Sequence, residues 1–429
     1  MSITLIIIIV FSLGFVAWGL FKPSRLYRFD CAFSLMFLAW LIPEMYIVEQ
    51  SEFSRFLDFS FTWRYILACQ LLVYLGFYIG KKIKGNDIDI AANLYSYDLR
   101  RSNKACVIVI AVGFVGFILM AGEVQETGLS GEWSGVVTFY YLLTQFILFG
   151  GALAWLIYLH TKQFRSLIIF LLMVSVAFPI VMYFARRGIM FQVAFATLAG
   201  AYLVTKYTPP RSIMVIGIVF GFVVLNTAGN IRSHIENENG TLVSAISSGA
   251  AVNGFNIFEH NPAPEVKSAL TDIEIVRTTG NHEPFKLLWD SAVMQYIPSF
   301  LLGRDFKSSL LSDKSADSVI QRFGMDGATR TGFGEAYTGY WYFGTIIYFL
   351  IGLYQGGLWS RAERGDIRSQ YYYVVIMNFG LLTITESISR FLVTLPIIYG
   401  VGYLVFRYIE KKTRYDKRSL EPSFPLQIS

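Results

Sequence analysis

The sequence predicts an all-α protein, a polytopic bundle of transmembrane helices, and three observations support this prediction. Of the 429 residues, 54% are hydrophobic and only 15% are charged, whereas about a quarter of the residues in a soluble domain are charged. Apolar runs of about twenty residues, enough to cross a bilayer core as helices, recur along the chain. The chain lacks the segments of about ten residues with alternating polarity that are typical of a transmembrane barrel.

The apolar runs predict about eleven spans, with one long polar segment late in the chain. The predicted spans are 3–21, 30–49, 63–80, 105–122, 136–159, 166–185, 189–205, 212–228, 336–358, 370–388 and 391–408. Three regions follow: a transmembrane bundle over 1–228, an extracytoplasmic loop over 229–335, and a second bundle with a basic cytoplasmic tail over 336–429. Within the loop, mixed apolar and polar patterns over 241–258 and 284–302 predict short helices on the membrane surface.

The positions of lysine and arginine predict the orientation. With the N-terminus outside, 22 of the 36 basic residues fall in the inward loops and tail, and 5 fall in the short outward segments. This bias follows the positive-inside rule and places the long segment outside. The net charge of +6 is therefore interpreted as a result of the basic residues in the inward loops, and no nucleic-acid partner is expected. The three cysteines lie in or beside apolar runs, which indicates small buried residues rather than disulfides.

Arg186 and Arg187 lie at an outward hinge between the sixth and seventh predicted spans. The predicted orientation does not favour a basic pair at that position. Because a guanidinium group offers paired donors that match a phosphate, one interpretation is an anion site. The other interpretation is contact with lipid headgroups.

Acidic residues are predicted at the same depth. Glu44, Glu335 and Glu386 each lie near the outward end of a predicted span, and Arg390 follows Glu386. Since a carboxylate that faces lipid is costly, each is expected to face the bundle interior or a wet cavity. The group is either a structural ion-pair network or a reaction site, and the sequence leaves both open.

The long polar segment adds basic side chains to these candidates. They are Arg232, Arg277, Arg304, Arg330, Lys307, His234 and His282. A solvated loop surface would also explain any one of them. The chain contains no HExxH, CxxC, Walker-type or glycine-rich dinucleotide motif. The chemistry is therefore expected to need no nucleotide, no cofactor and no protein-bound metal.

Three stretches together resemble a known family. RRG stands at the outward hinge, YIPSFLLG lies in the long segment, and TGFGEAYTGYWYFGTIIYFLIGL leads into the next span. With the overall layout, they resemble bacterial O-antigen and oligosaccharide repeat-unit polymerases. Relatives often have an arginine directly after the Ile-Pro, where this chain has Ser299, with Arg304 a few residues later. The resemblance implies a metal-independent C-type membrane glycosyltransferase, multi-pass in the bacterial inner (plasma) membrane and acting at its outer face.

The implied reaction moves a growing glycan from undecaprenyl pyrophosphate onto the non-reducing end of a new lipid-linked repeat unit. Such a reaction builds a surface polysaccharide: O-antigen, capsule or exopolysaccharide. Preorganised arginines would stabilise the leaving pyrophosphate, and a carboxylate would accept the proton of the attacking hydroxyl. The candidate bases are Glu335 and Glu386. The candidate pyrophosphate ligands are Arg186, Arg187, Arg232, Arg304, Arg330 and Arg390. The implied partners are lipid-linked oligosaccharides and the membrane, with a chain-length regulator and a flippase as further partners to test.

Two other functions remain open. A ligase of the related class would share the layout and the arginines, but would transfer a finished glycan to lipid A core or another acceptor. A transporter or flippase of polysaccharide or lipid would not be an enzyme. It would be favoured by charged residues that run through the bilayer to the inner face, whereas here the intramembrane charges gather near one side.

Overall fold

Helices account for nearly all of the chain that the computed structural model describes. The described residues are 2–50, 59–83, 97–127, 136–184, 187–219, 264–280, 282, 284–297, 302–312 and 331–410. Within these ranges there is no strand, and one isolated bridge joins Tyr97 to Glu410. The predicted all-α class is confirmed for this part of the chain.

The helices are numbered in chain order. Their bounds are α1 Ile3–Phe21, α2 Phe29–Gln50, α3 Phe59–Lys82, α4 Leu99–Thr127, α5 Val136–Thr161, α6 Phe164–Phe184, α7 Arg187–Thr205, α8 211–219, α9 Pro264–Thr279, α10 Lys286–Tyr296, α11 Arg304–Leu310, α12 Gly332–Tyr340, α13 Gly344–Glu363, α14 Ile367–Leu382 and α15 Ile388–Ile409. Single turns of 3-10 helix cover Pro23–Arg25 and Trp341–Phe343.

Six of the described helices are long and apolar enough to cross a membrane. They are α1, α2, α3, α4 over Arg100–Met120, α5 over Phe139–Thr161, and α15. Shorter apolar stretches lie in α6 and α7. These features are those of an α-helical membrane protein, but the predicted count of eleven spans is not confirmed. The tenth predicted span, 370–388, overlaps α14, which ends at Leu382 and whose 16 residues are fewer than the roughly 20 that cross a hydrocarbon core.

Helices α3 and α13 run parallel and pack through paired glycines. Gly76 and Gly80 are four residues apart on α3, and Gly352 and Gly356 are four apart on α13. A Cβ atom placed on Gly352 would lie 2.2 Å from the carbonyl oxygen of Val73. The two backbones are therefore in direct contact. This is the arrangement in which small residues let membrane helices approach closely.

Helix α2 contains a π-helical turn, Phe37–Leu41, just before Pro43. Proline has no N–H, and its ring clashes with the carbonyl group four residues earlier, so a widened turn here has a local cause. Beyond this turn, Oε2 of Glu44 accepts a hydrogen bond from the backbone N–H of Val266 at 3.0 Å. Because Val266 lies in the first turn of α9, the α2 helix holds α9 by its N-terminus.

Three described helices, α9, α10 and α11, lie in the predicted long loop. Helix α10 confirms the helix predicted over 284–302, with shorter bounds. The predicted helix over 241–258 lies outside the described residues. No helix is predicted at α9, although its buried apolar side chains recur at helical spacing. These are Val266, Ala269, Leu270, Ile273 and Val276.

The ninth predicted span, 336–358, corresponds to two helices rather than one. Trp341 has a φ of 54°, outside the right-handed helical region, so α12 ends before it. The chain resumes as α13 at Gly344, where a Cβ atom would lie 2.3 Å from the carbonyl oxygen of Ala336 and 2.4 Å from the hydroxyl of Tyr65. Helix α12 is therefore a separate short helix that crosses the predicted boundary at residue 335.

Contacts between distant residues define two ends of the bundle. The loop end comprises the starts of α3, α5, α7, α12 and α15 together with α9, α10 and α11. The basic end comprises residues 22–28, the ends of α3, α7 and α13, and the starts of α4, α6 and α14. At the basic end, for example, Lys206 Nζ donates to the carbonyl oxygen of Glu363 at 2.8 Å. The candidate residues Glu335, Glu386 and Arg390 all lie at the loop end.

Candidate functional site

The candidate site lies where α12 begins beside the turn between α14 and α15. Thr331 caps α12, its Oγ1 accepting the N–H of Gly334 at 3.3 Å. The N–H of Gly332 donates to the carbonyl oxygen of Thr383, in the turn, at 3.1 Å. A Cβ atom on Gly332 would lie 2.4 Å from that oxygen. Glycine at this position therefore allows the start of α12 to contact the turn directly.

Aromatic packing beneath the site fixes α12 on the bundle. The ring of Phe333 stacks on Tyr348 of α13, with centroids 4.9 Å apart, and meets Phe37 of α2 edge-on at 5.9 Å. Phe333 and Tyr348 are fully buried. Because three helices contact one ring system, the first turn of α12 has little freedom to move relative to them.

Glu335 connects α12 to the start of α15. The residue is only 3% exposed, and its Oε2 accepts hydrogen bonds from Ser387 Oγ at 2.6 Å and from the backbone N–H of Ser389 at 3.1 Å. Ser387 is also the N-cap of α15 and accepts the N–H of Arg390. The first N–H groups of a helix lack partners within the helix and carry partial positive charge, so they stabilise a carboxylate placed there. Glu335 therefore anchors α12 to α15.

Glu386 and Arg390 form an ion pair on the same turn. Arg390 Nη1 lies 2.8 Å from Glu386 Oε2, and the two side chains are 35% and 26% exposed respectively. The guanidinium group also lies over the ring of Tyr141 in α5, 4.8 Å from its centroid. A guanidinium group has five N–H donors, so an ion pair with one carboxylate does not exhaust its capacity to bind an anion.

Helix α7 brings Arg187 to the level of this turn. Helices α7 and α14 are antiparallel, because Gln370 Nε2 donates to the carbonyl oxygen of Leu203, and Asn378 Nδ2 donates to that of Gln192. Continuing that register places the start of α7, at Arg187, beside the end of α14 near Thr383. The side chain of Arg187 lies outside the described part of the structure.

The other predicted arginines are placed only in part. Arg304 begins α11, which packs on α10, and its side chain is not among those described. Arg186, Arg232 and Arg330 lie outside the described residues. The structure therefore brings together Glu335, Glu386 and Arg390, and it leaves the convergence of the remaining arginines as a prediction.

Two further buried carboxylates are associated with α9: Glu44 of α2 accepts the N–H of Val266 at its start, and Asp272 lies on it. Glu44 is 2% exposed and Asp272 is 8% exposed. Asp272 lies against α12, since a Cβ atom on Gly334 would be 2.9 Å from Asp272 Oδ2. The sequence predicts Glu44 as a candidate residue but does not predict Asp272. A helical pattern in which Asp272 directly precedes Ile273 on the apolar face of α9 could have identified it.

The charges at the loop end of the bundle could bind an anion beside a carboxylate that accepts a proton. The N-termini of α12 and α15 meet at the turn, and helix N-termini attract anions. Arg390 adds a full positive charge, while Glu386 offers a partly exposed carboxylate that could accept a proton. Among the described residues, no three histidine, cysteine, aspartate or glutamate side chains gather closely enough to hold a metal ion.

The fold and the site together define a class: an α-helical membrane protein with an acidic and basic cluster at the loop end of the bundle. Comparison with protein-family models, with curated proteins and with solved structures found no match.

Proposed function

We propose that this protein polymerises undecaprenyl-pyrophosphate-linked oligosaccharide repeat units into a surface polysaccharide, such as O-antigen, capsule or exopolysaccharide. The single observation that supports this proposal most is the meeting of Glu335, Glu386 and Arg390 at one turn. The residues come from α12, from the α14–α15 connection and from the first turn of α15, respectively. Their cluster also lies at one end of the bundle, where an amphipathic lipid-linked substrate would place its polar headgroup.

The proposed reaction forms one bond and breaks one. A sugar hydroxyl of the acceptor repeat unit attacks the anomeric carbon of the sugar that is linked to the donor lipid. A carbon–oxygen bond forms there as the bond to the pyrophosphate oxygen breaks. The hydroxyl proton passes to a carboxylate, and the electron pair of the broken bond leaves on the undecaprenyl pyrophosphate. Charge therefore develops on the pyrophosphate, and a nearby guanidinium group would stabilise it.

The geometry suggests different roles for the two candidate bases. Oε2 of Glu335 already accepts two hydrogen bonds, and the residue is almost fully buried, so we assign it a positioning role for α12 and α15. Glu386 is the more accessible carboxylate, and we assign it the proton. In the complex, Arg390 would turn from Glu386 toward the pyrophosphate, which would leave the carboxylate able to accept that proton.

The test is to compare Glu386→Gln and Arg390→Lys in a strain that lacks the wild-type gene, with the surface glycan resolved by chain length. Glu386→Gln removes the proposed proton acceptor, and Arg390→Lys removes the paired guanidinium donors. Each variant is expected to reduce chain extension by about 100-fold and to leave single-unit glycans. The matched control is Glu274→Gln. Glu274 forms an ion pair with Arg277 at 3.0 Å in α9, also at the loop end, and its loss is expected to preserve the ladder. A wild-type ladder in both site variants would refute the proposed site.

A ligase and a transporter are the alternatives, and one assay separates all three. Purified protein is reconstituted in vesicles with the lipid-linked repeat unit as sole glycan. A polymerase extends this substrate, and a ligase leaves it unchanged until an acceptor such as lipid A core is added. A transporter moves it across the bilayer without altering its mass. An unchanged glycan in this assay would refute the polymerase.

A further inference from the structure

The basic end holds three positive side chains close to the connection between α1 and α2. Arg25 lies in the 3-10 turn of this connection, with its guanidinium carbon 3.4 Å from the ring centroid of Trp18. Arg28 follows, with its guanidinium carbon 5.0 Å from the ring centroid of Phe77 in α3. Lys81 is one turn further along α3 and interacts electrostatically with both arginines. The three charges therefore act as one group.

The carboxylates nearby do not balance this group. Asp30 pairs with Arg28 at 2.6 Å, and Glu363 interacts with Lys81. Glu363 is shared, because it also interacts with Lys206. Burial, followed by the charge of Arg28, lowers the pKa of Arg25. Within the described part of the chain, the three basic side chains therefore carry more positive charge than Asp30 and Glu363 neutralise, and they are partly desolvated.

Two guanidinium donors in the group are buried without an acceptor. Nη1 of Arg25 and Nε of Arg28 have no hydrogen-bond partner among the described residues. A buried donor left unsatisfied is costly, and more so when the group is charged. Two such donors on neighbouring arginines point to an acceptor that comes from outside the described chain.

The surroundings indicate what that acceptor is. The group lies at the ends of the membrane-crossing helices α1 and α3, the level at which lipid headgroups meet the hydrocarbon core. Phe21, at the end of α1, is 74% exposed, and Tyr78 of α3 is 55% exposed. An apolar border beside a cationic group suits a molecule with acyl chains and an anionic head. Guanidinium groups match phosphate oxygens with paired donors, and basic pockets between membrane helices bind anionic headgroups.

We propose that Arg25, Arg28 and Lys81 bind the phosphate of an anionic phospholipid headgroup at the basic end of the bundle. The site is separate from the loop-end cluster, and it does not depend on the proposed glycan chemistry. Phosphate is the recognised group, and the lipid is its source because the site lies at the ends of two membrane-crossing helices.

The experiment titrates purified protein with phosphatidylglycerol and with phosphatidylcholine of the same acyl chains, with bound lipid counted by native mass spectrometry. Wild-type protein is expected to prefer phosphatidylglycerol. Arg25→Gln and Lys81→Gln are each expected to weaken its binding about fivefold, the fold-change that corresponds to about 1 kcal/mol per basic residue near a membrane surface. Arg25→Lys, which keeps the charge but loses the paired donors, is expected to give a smaller loss.

The matched control is Arg101→Gln. Arg101 is at the same end of the bundle, but it pairs with Asp98 at 3.4 Å and its side chain is 51% exposed. Its removal is expected to leave phosphatidylglycerol binding unchanged. An equal loss in Arg101→Gln and Arg25→Gln would show a general surface charge effect and would overturn the site. Displacement of phosphatidylglycerol by an equal concentration of inorganic phosphate would overturn the lipid as the source of the phosphate.

Discussion

The backbone N–H of Ser389 donates a hydrogen bond to Oε2 of Glu335 at 3.1 Å. The donor lies in the first turn of α15 and the acceptor in the first turn of α12, so two helices that are distant in the chain share one carboxylate. The ion pair between Glu386 and Arg390 lies on the same turn. The order of this turn, and with it the geometry of the candidate site, therefore depends on Glu335.

Replacing Glu335 tests this anchoring role. Glu335→Ala is expected to lower the free energy of unfolding by about 1–3 kcal/mol, because the N–H of Ser389 and the hydroxyl of Ser387 lose a buried acceptor. Glu335→Gln keeps an acceptor oxygen and is expected to cost less. Thermal unfolding in detergent ranks the stabilities of the wild type, Glu335→Gln and Glu335→Ala. Equal midpoints for the alanine variant and the wild type would contradict the anchoring role.

The glycine interface between α3 and α13 predicts a contrast between two neighbouring positions. Gly352→Ala places a Cβ atom 2.2 Å from the carbonyl oxygen of Val73, so the helices must separate, at a cost of about 1–3 kcal/mol. At Gly357, on the same helix, a Cβ atom would meet nothing within 4 Å. Gly357→Ala is therefore expected to be neutral or stabilising by up to about 1 kcal/mol, through helix propensity.

Thermal unfolding of both glycine variants in one detergent checks this contrast. Chemical cross-linking between cysteines introduced into α3 and α13 would show whether the helices separate in Gly352→Ala. A loss of stability in Gly357→Ala that matches that in Gly352→Ala would rule out backbone contact as the cause.

The buried ion pair of Arg28 and Asp30 predicts that replacing one partner destabilises the protein more than replacing both. The two side chains are 8% and 7% exposed, with Nη2 and Oδ2 2.6 Å apart. Asp30→Asn leaves a buried guanidinium group without its counter-charge, and is expected to cost about 3–5 kcal/mol. Arg28→Met combined with Asp30→Asn removes both charges and is expected to recover part of that loss. Unfolding midpoints of the two variants compare them directly, and a double variant less stable than Asp30→Asn would refute the account.

Lys307 predicts a pH dependence in the loop helices. It is 5% exposed, its Nζ donates to the carbonyl oxygen of Met294 at 3.0 Å, and burial lowers its pKa. Since the unfolded chain holds this proton more tightly, the stability contributed at Lys307 rises as the pH increases from the lowered pKa toward the ordinary value of about 10.4. Lys307→Met lacks this dependence.

Hydrogen exchange of α10 and α11 at pH 7 and at higher pH, in the wild type and in Lys307→Met, measures the effect. Protection in the wild type is expected to increase relative to the variant as the pH rises. A relative decrease would show that the charged form of Lys307 stabilises these helices, which contradicts the sign given by burial.

Part of the site could be predicted because it depends on local sequence. Glu335 and Glu386 stand out as acidic residues beside apolar runs, and their positions in the predicted spans place both at the same end of the bundle. The partners of these residues could not be predicted, because Ser387 is 52 positions from Glu335. The helical spacing of the apolar residues in α9 indicates that Asp272 borders a buried face, but its contact with Gly334 of α12 depends on the tertiary structure.

The sequence by itself determined the all-α class, the apolar character of the long helices and most helix positions. These properties follow from hydropathy and run length, each of which acts within one stretch of chain. Only the tertiary structure decided that α12 and α13 are separate helices, that Gly352 faces the backbone of Val73, and that Glu335 accepts the N–H of Ser389 in α15. Those features arise from close contact between segments that are distant in the chain. The shape of one segment then limits the backbone and side-chain conformations of the other.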